Sequence, residues 1–299
     1  MRYLAIACCC TALVVACQKE ARGPHADSTA VRSAASSPFT VIDVPGAAQT
    51  TALGINGSGQ IVGEFADSSG NIHGYLRARA GGITTLDAPD AAATHPHGIN
   101  DAGQITGWFV DAGGKQHGFL RAPTGAFTTF DVPGATEIGA NGINGAGQIV
   151  GIFTDAKDNH GFFRTAAGVF TTIDPPSGSN TGAYGINGAE QIVGHFTDSS
   201  GKIHGFLRTA TGTITPIDAP GAVTTSAQSI NAAGRIAGFF FPTAGSQAHG
   251  YLRTPAGAFS ILDLPGAAAT NPEGINDAGQ VTGILVDASG KRHGFLTTR

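Results

Sequence analysis

The 299-residue chain is only 13% charged, against roughly 25% in an average soluble domain, carries 45 glycines and has a formal net charge of -4. It contains no Lys/Arg cluster, which excludes a basic nucleic-acid footprint. No Cys follows Cys17, so residues 18–299 can form neither an intramolecular disulfide nor a Cys-bearing zinc site.

In chain order, Met1-Arg2 precede an apolar run over residues 3–16 that is too short to span a bilayer, which predicts a signal peptide at 1–16. That run ends in Val14-Val15-Ala16-Cys17, which resembles the lipobox of bacterial lipoproteins. The resemblance implies lipidation of Cys17, and Gln18 after it implies sorting to the outer membrane. The alternative is an ordinary cleaved leader and a periplasmic or extracellular protein. Residues 17–38 are polar and Ala/Ser-rich, hence the lipidated Cys and a flexible tether, with membrane contact through the anchor only.

Residues 39–299 repeat at 43 to 45 residues, marked by Asp43, Asp87, Asp131, Asp174, Asp218 and Asp263. Thirteen residues behind these stand Asn56, Asn100, Asn144, Asn187, Asn231 and Asn276, and further on His73, His117, His160, His204, His249 and His293. Each copy reads as four short strands. Turns such as Asn100-Asp101-Ala102-Gly103 and Asp111-Ala112-Gly113-Gly114 set off three of them as an antiparallel meander, and a longer Val-Pro-Gly-Ala-type link leads onward. This predicts an all-β, six-bladed β-propeller of four-stranded antiparallel blades. A linear solenoid would need shorter coils and capping units, and no atypical end repeat is visible. The repeats begin with Phe39-Thr40-Val41-Ile42-Asp43, fourth-strand sequence, and end on third-strand sequence at His293. The N-terminal strand is therefore expected to complete the last blade.

The motifs G-I-N-x-x-G-Q-I-V-G and H-G-F-L resemble the HAF family of probable extracellular repeats, bacterial secreted proteins, over residues 39–299. The family's His-Ala-Phe is here His-Gly-Phe or, at His73 and His249, His-Gly-Tyr, which predicts a middle position too tight for a side chain. The resemblance implies an exported propeller-like domain and brings no catalytic residues.

The recurring residues read as scaffold: each His bonded to a repeated Asp or Asn, each Asp of a D-x-x-G turn capping its own turn rather than binding calcium. The departures from the repeat are more informative. Eight residues past each linking Pro stand Leu53, His97, Asn141, Tyr184, Gln228 and Glu273, and two residues earlier Thr51, His95, Gly139, Gly182, Ser226 and Asn271. In a propeller this segment enters the innermost strand, so Leu53, His95, His97, Asn141, Tyr184, Gln228 and Glu273 are the candidate ligand-binding residues at one channel mouth. Trp108 is placed with Phe65, Ile152 and Phe196 and read as packing. The expected function is a monomeric, non-enzymatic binding or scaffold module for a glycan, peptide or envelope protein, with no cofactor, metal or nucleic acid. Two alternatives remain: a polysaccharide hydrolase or lyase using His95, His97 and Glu273, and a purely structural envelope protein.

Overall fold

The computed structural model describes residues 32–33 and 38–298. The proposed signal peptide, Cys17 and most of the tether lie outside them.

Every repeat folds as a meander. In the second, strands Ala91–Ile99, Ile105–Asp111, Gln116–Arg121 and Phe127–Phe130 pair antiparallel in sequence order. Among the described residues the hydrogen-bonded sheets number five, not the six that the repeat count predicts: three of four strands, one of five and one of nine. The nine-stranded sheet arises where the third strand of repeat four touches the first of repeat five in a parallel contact, Ile203 opposite Thr224. It also gains an outer strand from within the stretch read as tether, Arg32–Ser33, parallel to Phe259–Ile261. An edge strand offers unpaired N–H and C=O groups that even a polar segment can use, which is why composition alone missed it.

The predicted closure is present. Phe39–Ile42 pairs antiparallel with Arg292–Thr297, and His293 Nδ1 meets Asp43 Oδ1 at 2.9 Å across 250 residues. The core lies between successive meanders, because apolar side chains occupy both faces of each sheet. Val62 and Leu86 of repeat one pack with Ile99, Ile105 and Phe119 of repeat two, and Ile42 and Leu296 pack with Ala52, Ile61 and Tyr75. The third strand places Tyr75, Phe119, Phe162, Phe206, Tyr251 and Phe295 wholly inside, each contributing roughly 1.5–3 kcal/mol of apolar burial. Where the residue is Tyr, its hydroxyl finds a carbonyl, Tyr75 to Thr51 O at 2.7 Å and Tyr251 to Ser226 O at 3.2 Å.

The repeated Asn explains the N-x-x-x-Q spacing found in every repeat but the fifth, which carries Arg235 in place of Gln. In repeat two, Asn100 Oδ1 accepts from Gln104 N, while Nδ2 donates to Gln104 Oε1 and to the backbone oxygen of Asn144 in the next repeat. The inter-repeat bond recurs at 3.0–3.2 Å from Asn56 to Asn100, Asn144, Asn187, Asn231 and Asn276 and back to Asn56, a closed cycle of six. The H-G middle position is tight, but not uniformly. A Cβ on Gly74 would lie 2.3 Å from Leu86 O, whereas at Gly294 the nearest atom is 3.1 Å away.

Candidate functional site

The recurring histidines are clamped, as the scaffold reading expects. His204 Nδ1 contacts Asp218 at 2.9 Å and Nε2 contacts Asp198 at 3.1 Å, with the ring stacked on Phe196. The Nδ1–Asp contact recurs in all six repeats at 2.8–3.0 Å. The turn aspartates close their own turns: Asp287 Oδ1 accepts from Ser289 N, Ser289 Oγ and Lys291 N. Hydrogen bonds from Ser200 and His204 hold the Asp198 carboxyl far below the usual range. The bond to Asp87 raises His73, and at His160 the hydrogen bond and charge of Asp174 together outweigh an opposing burial effect. Repeat five lacks the turn Asp, and His249 there is 40% exposed.

The departures sit on a backbone irregularity. In five inner strands the pairing register shifts across Pro96/Gly98, Ala140/Gly142, Ala183/Gly185, Ala227/Ser229 and Pro272/Gly274, so His97, Asn141, Tyr184, Gln228 and Glu273 are the bulged residues. In repeat one the strand is broken into Gln49–Thr50 and Gly54–Ile55, with Leu53 in the break. A bulge leaves one residue unpaired and re-aims its side chain, which lets five different residues share one position without cost to the sheet.

Not all seven candidates are alike. Leu53 is buried, Asn141 donates to Ala183 O of the neighbouring repeat at 2.9 Å, and Gln228 donates to Ser226 Oγ at 3.0 Å. His95, His97, Tyr184 and Glu273 are half-buried. His95 pairs not with Glu273 but with Glu64, Nδ1 to Oε2 at 2.5 Å, and stacks on Trp108 with ring centroids 3.7 Å apart.

Glu64 and His195 were missed by the sequence reading, and Trp108 was put in the wrong company. His95 opposes Trp108 and Gly182 opposes His195 across the first hairpins, and the backbone N–H of Thr51 reaches Glu64 O. Counted from the turn Gln, Trp108 therefore stands with Glu64, Ile152 and His195, whereas Phe65 and Phe196 lie one residue on. Alternation sends those two to the opposite face, where they pack in the core and stack on His73 and His204.

The site thus comprises two clusters. Glu64, His95, His97 and Trp108 occupy repeats one and two. Tyr184, His195, Ser226 and Gln228 occupy repeats four and five, where the rings of Tyr184 and His195 lie 5.3 Å apart and His195 Nδ1 is 3.3 Å from Ser226 Oγ. Burial lowers His97 and His195 to about 4, so both are neutral at pH 7. Glu64 is held ionised: burial opposes its charge, but the charge and hydrogen bond of His95, with His97 and Arg292 nearby, lower its pKa overall. Among the described residues no group of three or more His, Cys, Asp or Glu is placed to hold a metal ion.

No family profile and no curated protein matches the chain. Solved structures do. A streptogramin B lyase is 17% identical at a TM-score of 0.54, covering 88% of this chain and 98% of its own. TolB from Acinetobacter baumannii is 17% identical at 0.59, covering 81% of this chain and 64% of its own. The Aleuria aurantia lectin, in complex with Fucα1-6GlcNAc, is 12% identical at 0.55, covering 83% of this chain and 91% of its own. At such identities the likeness defines the fold alone. The chain is an all-β propeller of four-stranded antiparallel sheets.

Proposed function

We propose that the protein is a non-enzymatic binding module, an exported six-bladed propeller of the HAF type tethered to the membrane through Cys17, and that its ligand sits against the bulged residues of the inner strands. The six-membered asparagine cycle supports the blade count, since it gives each repeat one place in a closed ring. The single observation that carries the functional reading is where variation concentrates. A scaffold that repeats its His, Asp, Asn and Gly six times abandons repetition at the bulges, and there it sets two polar, aromatic-bearing clusters.

Neutral His97 and His195 offer hydrogen bonds without charge and Tyr184 offers a ring, with Ser226 and Gln228 buried behind His195. That combination suits an uncharged, hydroxyl- or amide-rich ligand, a glycan or a peptide, better than an anion, because the ionised Glu64 would repel the latter. The Glu64–His95 pair gives a second reading, acid–base catalysis on such a ligand by a hydrolase or lyase.

Trp108 is the only Trp in the chain, and its emission reports directly on the His95 contact. Glycan and peptide panels titrated against this fluorescence should give saturable changes. The H97A/Y184A/E273A variant should lose them while keeping the wild-type melt. A panel without response, or a triple variant that binds unchanged, refutes the reading, and turnover of a bound polymer by pure protein would replace it with the enzymatic one.

A further inference from the structure

The C-terminal ends of the inner strands, where the asparagine cycle lies, enclose a recess of about 130 Å³. Ile55, Ile99, Ile143, Ile186, Ile230 and Ile275 line it together with the asparagines and the residue after each. That next residue is Gly57, Asp101, Gly145, Gly188, Ala232 or Asp277 in turn. The six turns share one conformation: each Asn N–H bonds the carbonyl four residues on, and each Asn carbonyl accepts from the N–H three residues on. The N–H of the residue after Asn is therefore presented alike in every repeat.

Two of these N–H groups already hold a carboxylate. Gly57 N donates to Asp101 Oδ1 at 2.6 Å, and Ala232 N donates to Asp277 Oδ1 at 2.7 Å, the acid in each case coming from the next repeat. The other four repeats receive no such acid; in repeats two and six the residue after Asn is itself the donated Asp, whereas repeats three and four have glycine there, followed by Gly188 and Ala232 in the next repeats. The N–H groups of Gly145 and Gly188 have no partner among the described residues. The space is open as well. A Cβ at Gly57 would lie 3.0 Å from the Asp101 carboxylate, whereas one at Gly145 or Gly188 would meet nothing within 4 Å.

We infer that this recess binds a carboxylate, held by the N–H groups of Gly145 and Gly188 as Asp101 and Asp277 are held by those of Gly57 and Ala232, with the isoleucines receiving a short aliphatic chain. The Asp101 carboxylate is held at repeat one and that of Asp277 at repeat five, so the open N–H groups of repeats three and four lie at ring positions that neither carboxylate occupies. Glu190, in the turn of repeat four, is engaged by Gln148, whose Nε2 donates to its Oε1 at 2.7 Å. A recess of this size admits a small branched acid or the C-terminal residue of a peptide. The isoleucines that line it come two residues after the bulged His97, Asn141, Tyr184, Gln228 and Glu273, and the recess uses a different set of residues from the proposed ligand site.

Amide NMR on the 15N-labelled protein tests the inference, with isovalerate as one probe and a short peptide ending in Val, with a free or an amidated C-terminus, as the other. Saturable shifts at Gly145 and Gly188 are expected with isovalerate or the free-acid peptide and not with the amidated one; the arm that saturates tells whether the natural source is a free acid or a chain end. Installing the missing acids, Gly188→Asp to cap Gly145 and Ala232→Asp to cap Gly188, should weaken binding at least tenfold without unfolding. Asp101→Ala should bring a new saturable shift at Gly57. Non-saturating shifts in both acid arms, equal response to the amidated peptide, or unchanged binding in the Gly188→Asp/Ala232→Asp protein overturns it.

Discussion

Asn276 donates from Nδ2 to the backbone carbonyl of Asn56 at 3.1 Å, joining residues 220 positions apart with the same bond that Asn100 makes to its sequence neighbour in the ring, Asn144. The seam between first and last repeats is thus built like every other junction. Each such side chain also satisfies its own turn, so Asn276→Ala removes the Gln280 contacts together with the seam bond. At about 1 kcal/mol per hydrogen bond, a loss of roughly 2–3 kcal/mol is expected in urea unfolding. Asn100→Ala should cost a similar amount, and a far smaller effect at the seam would show the ring to be loosely shut.

Removing residues 39–43 strips the outer strand from the last meander, exposes the edge Arg292–Thr297 and deletes the His293–Asp43 contact. The melting temperature should fall by many degrees. Calorimetry of the deletion against the parent protein is the check.

Glu190 adopts a left-handed backbone, φ 55°, where the other five repeats have Gly59, Gly103, Gly147, Gly234 and Gly279 at 74–81°. That conformation costs a non-glycine roughly 1–2 kcal/mol, which the Gln148 bond offsets. Glu190→Gly should be close to neutral in the parent and stabilising by about 1 kcal/mol in a Gln148→Ala background. A double-mutant cycle in urea separates the two contributions.

Acid should weaken the fold through two buried histidines. His97 and His195 sit at about 4 in the folded protein against about 6.5 when unfolded. Between those values the unfolded chain binds protons that the folded one refuses, so stability drops as pH falls from 6.5 toward 4, by up to about 1.4 kcal/mol per pH unit for each group. His73 and His160, raised above 6.5, act oppositely: their contribution is full below 6.5 and fades as pH rises through their folded values. Urea midpoints at pH 7 and pH 5 should differ less for His195→Gln than for the parent. An equal difference would place His195 in contact with water.

Much of this was legible because the chain states its own alignment six times. The Asp43 and Asn56 series fixed the register, and the stray strand at residues 39–43 had only one meander left to join. The bulged ring from Leu53 to Glu273 was found by its failure to repeat. Glu64 and His195 escaped for a physical reason: they depart from the repeat on the second strand, where neighbours such as Phe65 and Phe196 are one residue away and point the other way. Aligning by aromatic likeness instead of by distance from the turn Gln crossed the sheet. The identical spacing of Gly145 and Gly188 carried no signal either, since what matters there is the acid that the next repeat lacks.

The pairing of Phe39–Ile42 with Arg292–Thr297 makes completion of the fold a test of chain length. The first segment of the domain to emerge during synthesis has to wait for almost the last, so the ring cannot shut on a fragment. A copy cut short of Arg292 keeps a bare strand edge at one end and the unmatched apolar face of Ala52, Ile61 and Tyr75 at the other, the features that make incomplete chains prone to aggregate. Only a chain carried through in full presents a sealed surface.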